Sequence, residues 1–218
     1  VLDNDKAKCW GLSSTGALSL PIDSTDPVVG DAPNEIASLP TLNILGHAIR
    51  QIGVGTAFAC ALLDDSGVVT CWGTNNEGEL GRDTTAKLGA NSGELPALPG
   101  LVLGERVKSM SVAAFHTCVL LESGKVKCWG ANARGQLGVG NTSNQGDGAN
   151  EMAALPTVPL GKTAVQVSAG RQHSCALLAD ASVVCWGFNE KGQLGVGDTY
   201  NRLDSPSSPA LKAVDLAF

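Results

Sequence analysis

The chain has 218 residues, 43% apolar and 17% charged, which excludes a disordered tail and supplies material for one domain of ordinary size. A formal charge of −6 repels phosphate and argues against nucleic acid as a partner, and no apolar run reaches membrane-spanning length. With 27 glycines and 10 prolines the composition favours tight turns and short strands over long helices.

The chain opens on VLDNDKAKCWG (1–11), with neither an initiator Met nor a basic-then-apolar leader, so the N-terminus of the whole protein is expected to lie elsewhere. VLDNDKAKC (1–9) aligns with LLESGKVKC (120–128), which makes it the second half of a hairpin. The partner expected for Cys9 then falls just before residue 1, and Cys9 is unpaired in this segment. An insert follows, GDAPNEIASLPTLNILG (30–46). AFACALLDDSGVVTCWG (57–73) predicts a hairpin with a short turn, and GANSGELPALPGLVLG (89–104) is a second insert. The same order recurs as AFHTCVLLESGKVKCWG (114–130) and GDGANEMAALPTVPLG (146–161). TAVQVSAG (163–170) alternates as a half-buried strand should, and RQHSCALLADASVVCWG (171–187) is a third hairpin. LKAVDLAF (211–218) matches KTAVQVSA (162–169) and is expected to be an innermost strand. The chain therefore reads as a segment that starts partway through one hairpin and stops after one strand of another.

Cys-Trp-Gly occurs four times, at Cys9, Cys71, Cys128 and Cys185, with spacings of 62, 57 and 57 residues. Units of this length in tandem, approximately 1–46, 47–104, 105–161 and 162–218, indicate a repeat architecture. Each unit offers an inner strand, a hairpin, and an LPTV or LPTL segment suited to an outer fourth strand, since proline is tolerated at edges. The expected fold class is all-β: a β-propeller, or a segment of one, of about four tandem repeats with four-stranded blades. Trp10, Trp72, Trp129 and Trp186 recur once per unit and suit packing between neighbouring blades.

Folding CVLLESGKVKC (118–128) about its turn brings Cys118 and Cys128 opposite each other, and Cys60 with Cys71 and Cys175 with Cys185 repeat the arrangement. Closely spaced strand pairs put such side chains near disulfide distance. Three disulfides, one per hairpin, are predicted. Reduced buried cysteines are an alternative, and a zinc site with His116 is another, although the spacing is not Cys-x-x-Cys and the first hairpin has no His. Disulfides imply an oxidising compartment.

The pattern H-[ST]-C-x-L-L…V-x-C-W-G-x-N-x-x-G-Q-L-G-x-G resembles the repeats of the regulator of chromosome condensation family. The match is fullest at His116–Gly140 and His173–Gly197. It weakens at Cys60–Gly81, where Glu79 replaces Gln and Ala57-Phe58-Ala59 replaces the His pair; in Gly11–Leu20 only Gly16 and Leu18 remain. The resemblance implies a propeller, usually of seven blades, and the Cys-Trp-Gly form looks like the bacterial or extracellular branch. The Gly-Trp-Arg-His-Thr of the family's light-sensing member is absent: the corresponding stretches are Ala114–Thr117 and Gly170–Ser174.

No catalytic constellation is visible. His116 and His173 share one repeat register and read as structural hydrogen-bonders. Gly135, Gly138 and Gly140 suit positive φ, and Asn132 and Asn189 suit side-chain bonds to a turn. Asn141 opens a single glycosylation sequon. Asp31 with Glu35, and Asp147 with Glu151, are weak calcium candidates; otherwise the Glu and Asn of those inserts bond their own loop. No cofactor is implied. The leading expectation is a non-enzymatic extracellular or cell-surface propeller that recognises a protein, or assembles with itself, through faces and loops. The alternatives are a nucleotide-exchange factor for a small GTPase, as the resemblance implies for the family's founding member, and an accessory module of a larger secreted enzyme.

Overall fold

A computed structural model describes residues 6–19, 28–44, 46–64, 66–89 and 95–216. Apolar residues on both faces of the hairpin segments make strands that must be covered on both sides, and the fold stacks them as successive three-stranded antiparallel sheets. The first unit contributes a two-residue pair, β1 (Gly11–Leu12) and β2 (Val28–Val29). The second holds β3 (Ile49–Val54), β4 (Phe58–Leu63) and β5 (Val69–Gly73). The third holds β6 (Val107–Val112), β7 (His116–Leu121) and β8 (Val126–Gly130). The fourth holds β9 (Ala164–Ala169), β10 (His173–Leu178) and β11 (Val183–Gly187).

In each sheet the middle strand pairs with both neighbours. Its side chains divide between the two flanking blades. Ala59, Ala61 and Leu63 of β4 join a cluster with Leu42 and Ile44 of the preceding unit. Phe58, Cys60 and Leu62 join one with Met110 and Val119 of the following blade. Every blade thus needs a neighbour on each side to bury its middle strand, as expected where one repeat cannot cover its own apolar surface.

The blades have three strands, not the four expected. The outermost ladder shrinks to single bridges, Gly73–Leu88, Gly130–Gln145 and Gly187–Arg202. Beyond them, one backbone bond ties each LP-type segment to its blade: Leu42 N–H to Ala7 O at 2.7 Å, Leu101 to Val69 at 2.8 Å, Val158 to Val126 at 2.9 Å and Val214 to Val183 at 2.8 Å. Pro40, Pro99 and Pro156 lie two residues earlier in three of these and have no N–H with which to lengthen the ladder. The same series corrects the reading of 211–218. Ala213 and Val214 take the outer place held by Val158, and do not form an innermost strand.

The first and third inserts, read as loops, each contain one helical turn, α1 (Glu35–Ser38) and α2 (Glu151–Ala154), and the middle one has a 3-10 turn at Leu95–Ala97. The glycine of Cys-Trp-Gly has a clear cause. Gly73, Gly130 and Gly187 sit at φ 111°, 102° and 95°, where a Cβ would lie 2.6 to 2.8 Å from the carbonyl oxygens of Ala57, Phe115 and Gln172.

Candidate recognition face and blade seams

The predicted site residues fall mostly into the seams between blades. Cys60 pairs Cys71, Cys118 pairs Cys128 and Cys175 pairs Cys185 directly across each hairpin, with Cα atoms 4.1, 4.1 and 4.0 Å apart, and all three are disulfides. Cys9 is free and partly buried, and burial pushes its thiol above the ordinary range.

Each buried indole donates its N–H to a backbone carbonyl of the preceding unit. Trp72 bonds Ala17 O at 2.9 Å, Trp129 bonds Glu79 O at 3.0 Å and Trp186 bonds Gln136 O at 2.9 Å. These three rings are fully buried, whereas Trp10 is 58% exposed. The acceptors lie in the Gly135–Gly138 turn and its counterparts Gly78–Gly81 and Gly16–Ser19, and asparagines shape the turns of the second, third and fourth units. Asn132 Oδ1 accepts from Leu137 N–H at 3.0 Å while its Nδ2 donates to Asn141 O and Ser143 O; Asn189 repeats this with Leu194, Asp198 and Tyr200, and Asn75 with Leu80, Thr84 and Ala86. Gln136 and Gln193 accept the N–H two residues back at 2.8 and 2.9 Å, and Glu79 does the same at 2.8 Å, so the acid serves where only an acceptor is required. Burial raises the Glu79 carboxyl above its ordinary range. Gly135, Gly138 and Gly140 in these turns have φ of 74°, 72° and 76°.

His116 and Ser174 meet across the third seam, with Nε2 2.9 Å from Oγ. The pair has the reach of a general base and a hydroxyl nucleophile, but not the setting. Both residues are fully buried, and Ser174 spends its proton on Gln136 O at 3.0 Å. His116 Nε2–H is then the donor, and burial, with the nearby His173, holds the imidazole at about 3. Such a histidine stays neutral and cannot accept a proton near pH 7. His173, in the same register, is half-buried and is lowered by burial. Sequence reading missed this contact, since the partners are 58 residues apart and no local pattern joins them.

The acidic inserts turn their carboxylates inward. Glu35 Oε2 accepts from Gly30 and Ala32 N–H at 2.7 and 3.0 Å; Glu151 Oε2 accepts from Gly146, Asp147 and Gly148 at 2.8, 3.1 and 2.8 Å. The Ala32 and Gly30 amides hold Glu35 below its ordinary value. Asp31 and Asp147 complete the candidate pairs in sequence. Among the described residues, no cluster of three or more His, Cys, Asp and Glu stands ready for a metal. Ala90 and Glu94 of the middle insert lie outside the described residues. Asn141 is exposed, and its Oδ1 accepts from Ser143 N–H at 2.9 Å.

One face carries the inner-to-middle strand loops together with the turns that follow Cys-Trp-Gly. Two clefts open there, of about 350 and 530 Å³, and both are walled by Ala114 and Phe115. Glu77 and Gln172 line the first, Val112 and Arg171 the second. Phe115 is 37% exposed between them. Cross-blade contacts brace the surface: Asn144 donates to Glu77 at 2.6 Å, and Arg134 pairs with Glu190 at 3.5 Å while stacking 5.0 Å from the Phe188 ring centre. The result is a fixed, shallow surface of mixed charge around one aromatic, a form suited to contact with another macromolecule. No described helix is long and apolar enough to cross a membrane.

The regulator of chromosome condensation (RCC1) repeat matches residues 49–79, 107–136 and 164–193, and a second profile of that description matches 123–177. The chain is 32% identical over 193 residues to probable E3 ubiquitin-protein ligase HERC6 of Homo sapiens, covering 86% of this chain and 18% of that one. It is 30% identical over 173 residues to protein pim1 of Schizosaccharomyces pombe, covering 76% and 32%. It is 28% identical over 207 residues to ultraviolet-B receptor UVR8 of Arabidopsis thaliana, covering 93% and 42%. The chain therefore spans less than half the length of each of these relatives. Among solved structures, human WBSCR16 superposes with a TM-score of 0.68 at 18% identity, over 99% of this chain and 50% of that one. Prp20p of Saccharomyces cerevisiae gives 0.64 at 18%, over 94% and 45%. At that identity the superpositions speak for the fold alone.

Proposed function

The chain belongs to the regulator of chromosome condensation repeat family, and we propose that it is a non-enzymatic module, working outside the reducing cytosol, that engages a protein partner or a like module through its loop face. The observation that carries this reading is the pair of clefts meeting at Phe115 on a surface braced across blades. Burial of the His116–Ser174 pair supports the absence of catalysis, because substrate has no route to it. The three disulfides support an oxidising location, since thiols are kept reduced in the cytosol.

A second reading is exchange of nucleotide on a small GTPase. Prp20p is described through its binding to Gsp1p and histones, and a formal charge of −6 suits a basic protein. Two measurements separate the readings. Protein isolated from its natural source under immediate thiol alkylation should add six hydrogens on later reduction, two for each disulfide. Release of labelled GDP from a small GTPase should be unchanged by the chain. Alkylation of all seven cysteines at isolation, Cys9 and the six of the hairpins, or accelerated GDP release, would overturn the extracellular reading.

A further inference from the structure

The turns that follow Cys-Trp-Gly differ in charge at two matched places. Where the third and fourth units have Arg134 with Gln136 and Lys191 with Gln193, the second has Glu77 with Glu79. The turn does not ask for that charge, since Gln136 and Gln193 accept the same N–H as Glu79 does. Glu79 is nevertheless only 4% exposed. A carboxylate so placed is costly unless a cation answers it. Among the described residues the ion pairs lie elsewhere, at Arg134–Glu190, Lys162–Asp180 and Arg202–Asp198. Burial raises the Glu79 carboxyl, backbone amides offset part of the rise, and the charges of Glu77 and Asp147 add to it.

Both carboxylates border the cleft of about 350 Å³ on the loop face, and its lining narrows the occupant. The walls are apolar at Ala57, Ala114, Phe115 and Ala131, and among the described residues the lining holds no Lys, Arg or His. The neighbouring cleft, across Phe115, is lined by Arg171 and by no described Asp or Glu. The two sides of one aromatic are thus opposite in sign, and a cation is drawn to the first and turned from the second. A side chain with a long apolar stem and a cationic end suits a slot with apolar walls and two carboxylates. Arginine suits it better than lysine. Its planar head bonds a carboxylate at two points and stacks on an aromatic face, as Arg134 does 5.0 Å from the Phe188 ring centre.

We propose, resting on the loop face as a recognition surface, that the first cleft receives an arginine side chain from a protein partner, its guanidinium paired with Glu77 and Glu79 and its stem against Phe115. Binding returns a counter-charge to Glu79 and displaces water from the slot, which strengthens the pairing. Glu77 is held in place beforehand, because its carboxylate accepts from Asn144 of the next unit at 2.6 Å. Glu79 is held by the Glu77 N–H at 2.8 Å. Little side-chain freedom is then lost when the partner arrives.

The test selects random linear peptides, displayed on phage, against the 218-residue chain. Those whose binding is weakened by Phe115→Ala should be enriched in arginine. Resynthesised with citrulline, which is neutral and of nearly the same shape, they should bind roughly tenfold more weakly by fluorescence polarisation. A chain carrying Glu77→Gln and Glu79→Gln should lose a similar factor. Its fold is kept, because a glutamine oxygen still accepts from Asn144 and from the N–H at position 77, and equal unfolding midpoints check this. Loop-face peptides without arginine, or arginine peptides indifferent to both changes, would overturn the proposal and leave the recognition face standing. The lack of any peptide sensitive to Phe115→Ala would remove the face as well. Self-association of the unaltered chain, abolished by the same double substitution, would put a second copy in the cleft and overturn the separate partner.

Discussion

The third unit and the first carry the same Cys-Trp-Gly sentence in opposite states. At Cys128-Trp129-Gly130 the sulfur is bonded, the indole is fully buried and its N–H reaches Glu79 O. At Cys9-Trp10-Gly11 the thiol is free and the ring is 58% exposed. The residues are identical, so the difference lies in what stands next to them. The motif supplies half of a contact, and the neighbouring strand or blade supplies the other half.

Three experiments break or sharpen that contrast. The largest effect is expected at the tryptophans. Trp129→Ala should cost about 3–5 kcal/mol in chemical denaturation through the lost ring and its cavity, whereas Trp10→Ala should stay within about 0.5 kcal/mol. Comparable losses at both positions would show that exposure does not govern the motif's worth.

The disulfides come next. Removing the Cys118–Cys128 bond by replacing both with Ala should cost about 2–3 kcal/mol, and Cys9→Ala almost nothing, by the same denaturation assay.

The smallest effect, read between about pH 6.5 and 5, is a pH dependence. Burial and His173 hold His116 at about 3, below the ordinary 6.5, so the unfolded chain takes up a proton that the folded chain refuses. The stability tied to His116 is therefore whole above about pH 6.5 and is lost as pH falls towards 3, at a limiting slope of about 1.4 kcal/mol per unit. His116→Phe copies the residue that starts β4 and should flatten the slope between about pH 6.5 and 5. His173→Phe, at the half-buried copy, should flatten it less. An unchanged slope in the His116 variant would assign the titration elsewhere.

The hairpins and their cysteine pairs were legible in the sequence because a short turn fixes register locally. Once the Ser123-Gly124 turn is placed, Cys118 and Cys128 must face each other. Strand rank was less legible. LKAVDLAF alternates as KTAVQVSA does, and alternation says that a segment is extended without saying where in a sheet it lies. Its place at the outer edge is set by Val214 bonding Val183, a contact across 31 residues. The turns Glu35–Ser38 and Glu151–Ala154 are too short to show a helical period. The seam network left no local trace, because its partners sit one repeat apart. Even so, the recurrence of His116 at His173 marked the register that matters, although the role of Ser174 did not show. Glu79 looked like a departure from the repeat and proved to do the same work as Gln136.

The indole–carbonyl bonds carry one more consequence. Their lengths, 2.9, 3.0 and 2.9 Å, scarcely vary, although the first repeat interval is 62 residues and the later ones 57. The ring acts as a spacer gauge: it sets the pitch from one blade to the next independently of how much chain loops out between them. The contact between neighbouring units is thereby kept while the length of chain looping out between them changes.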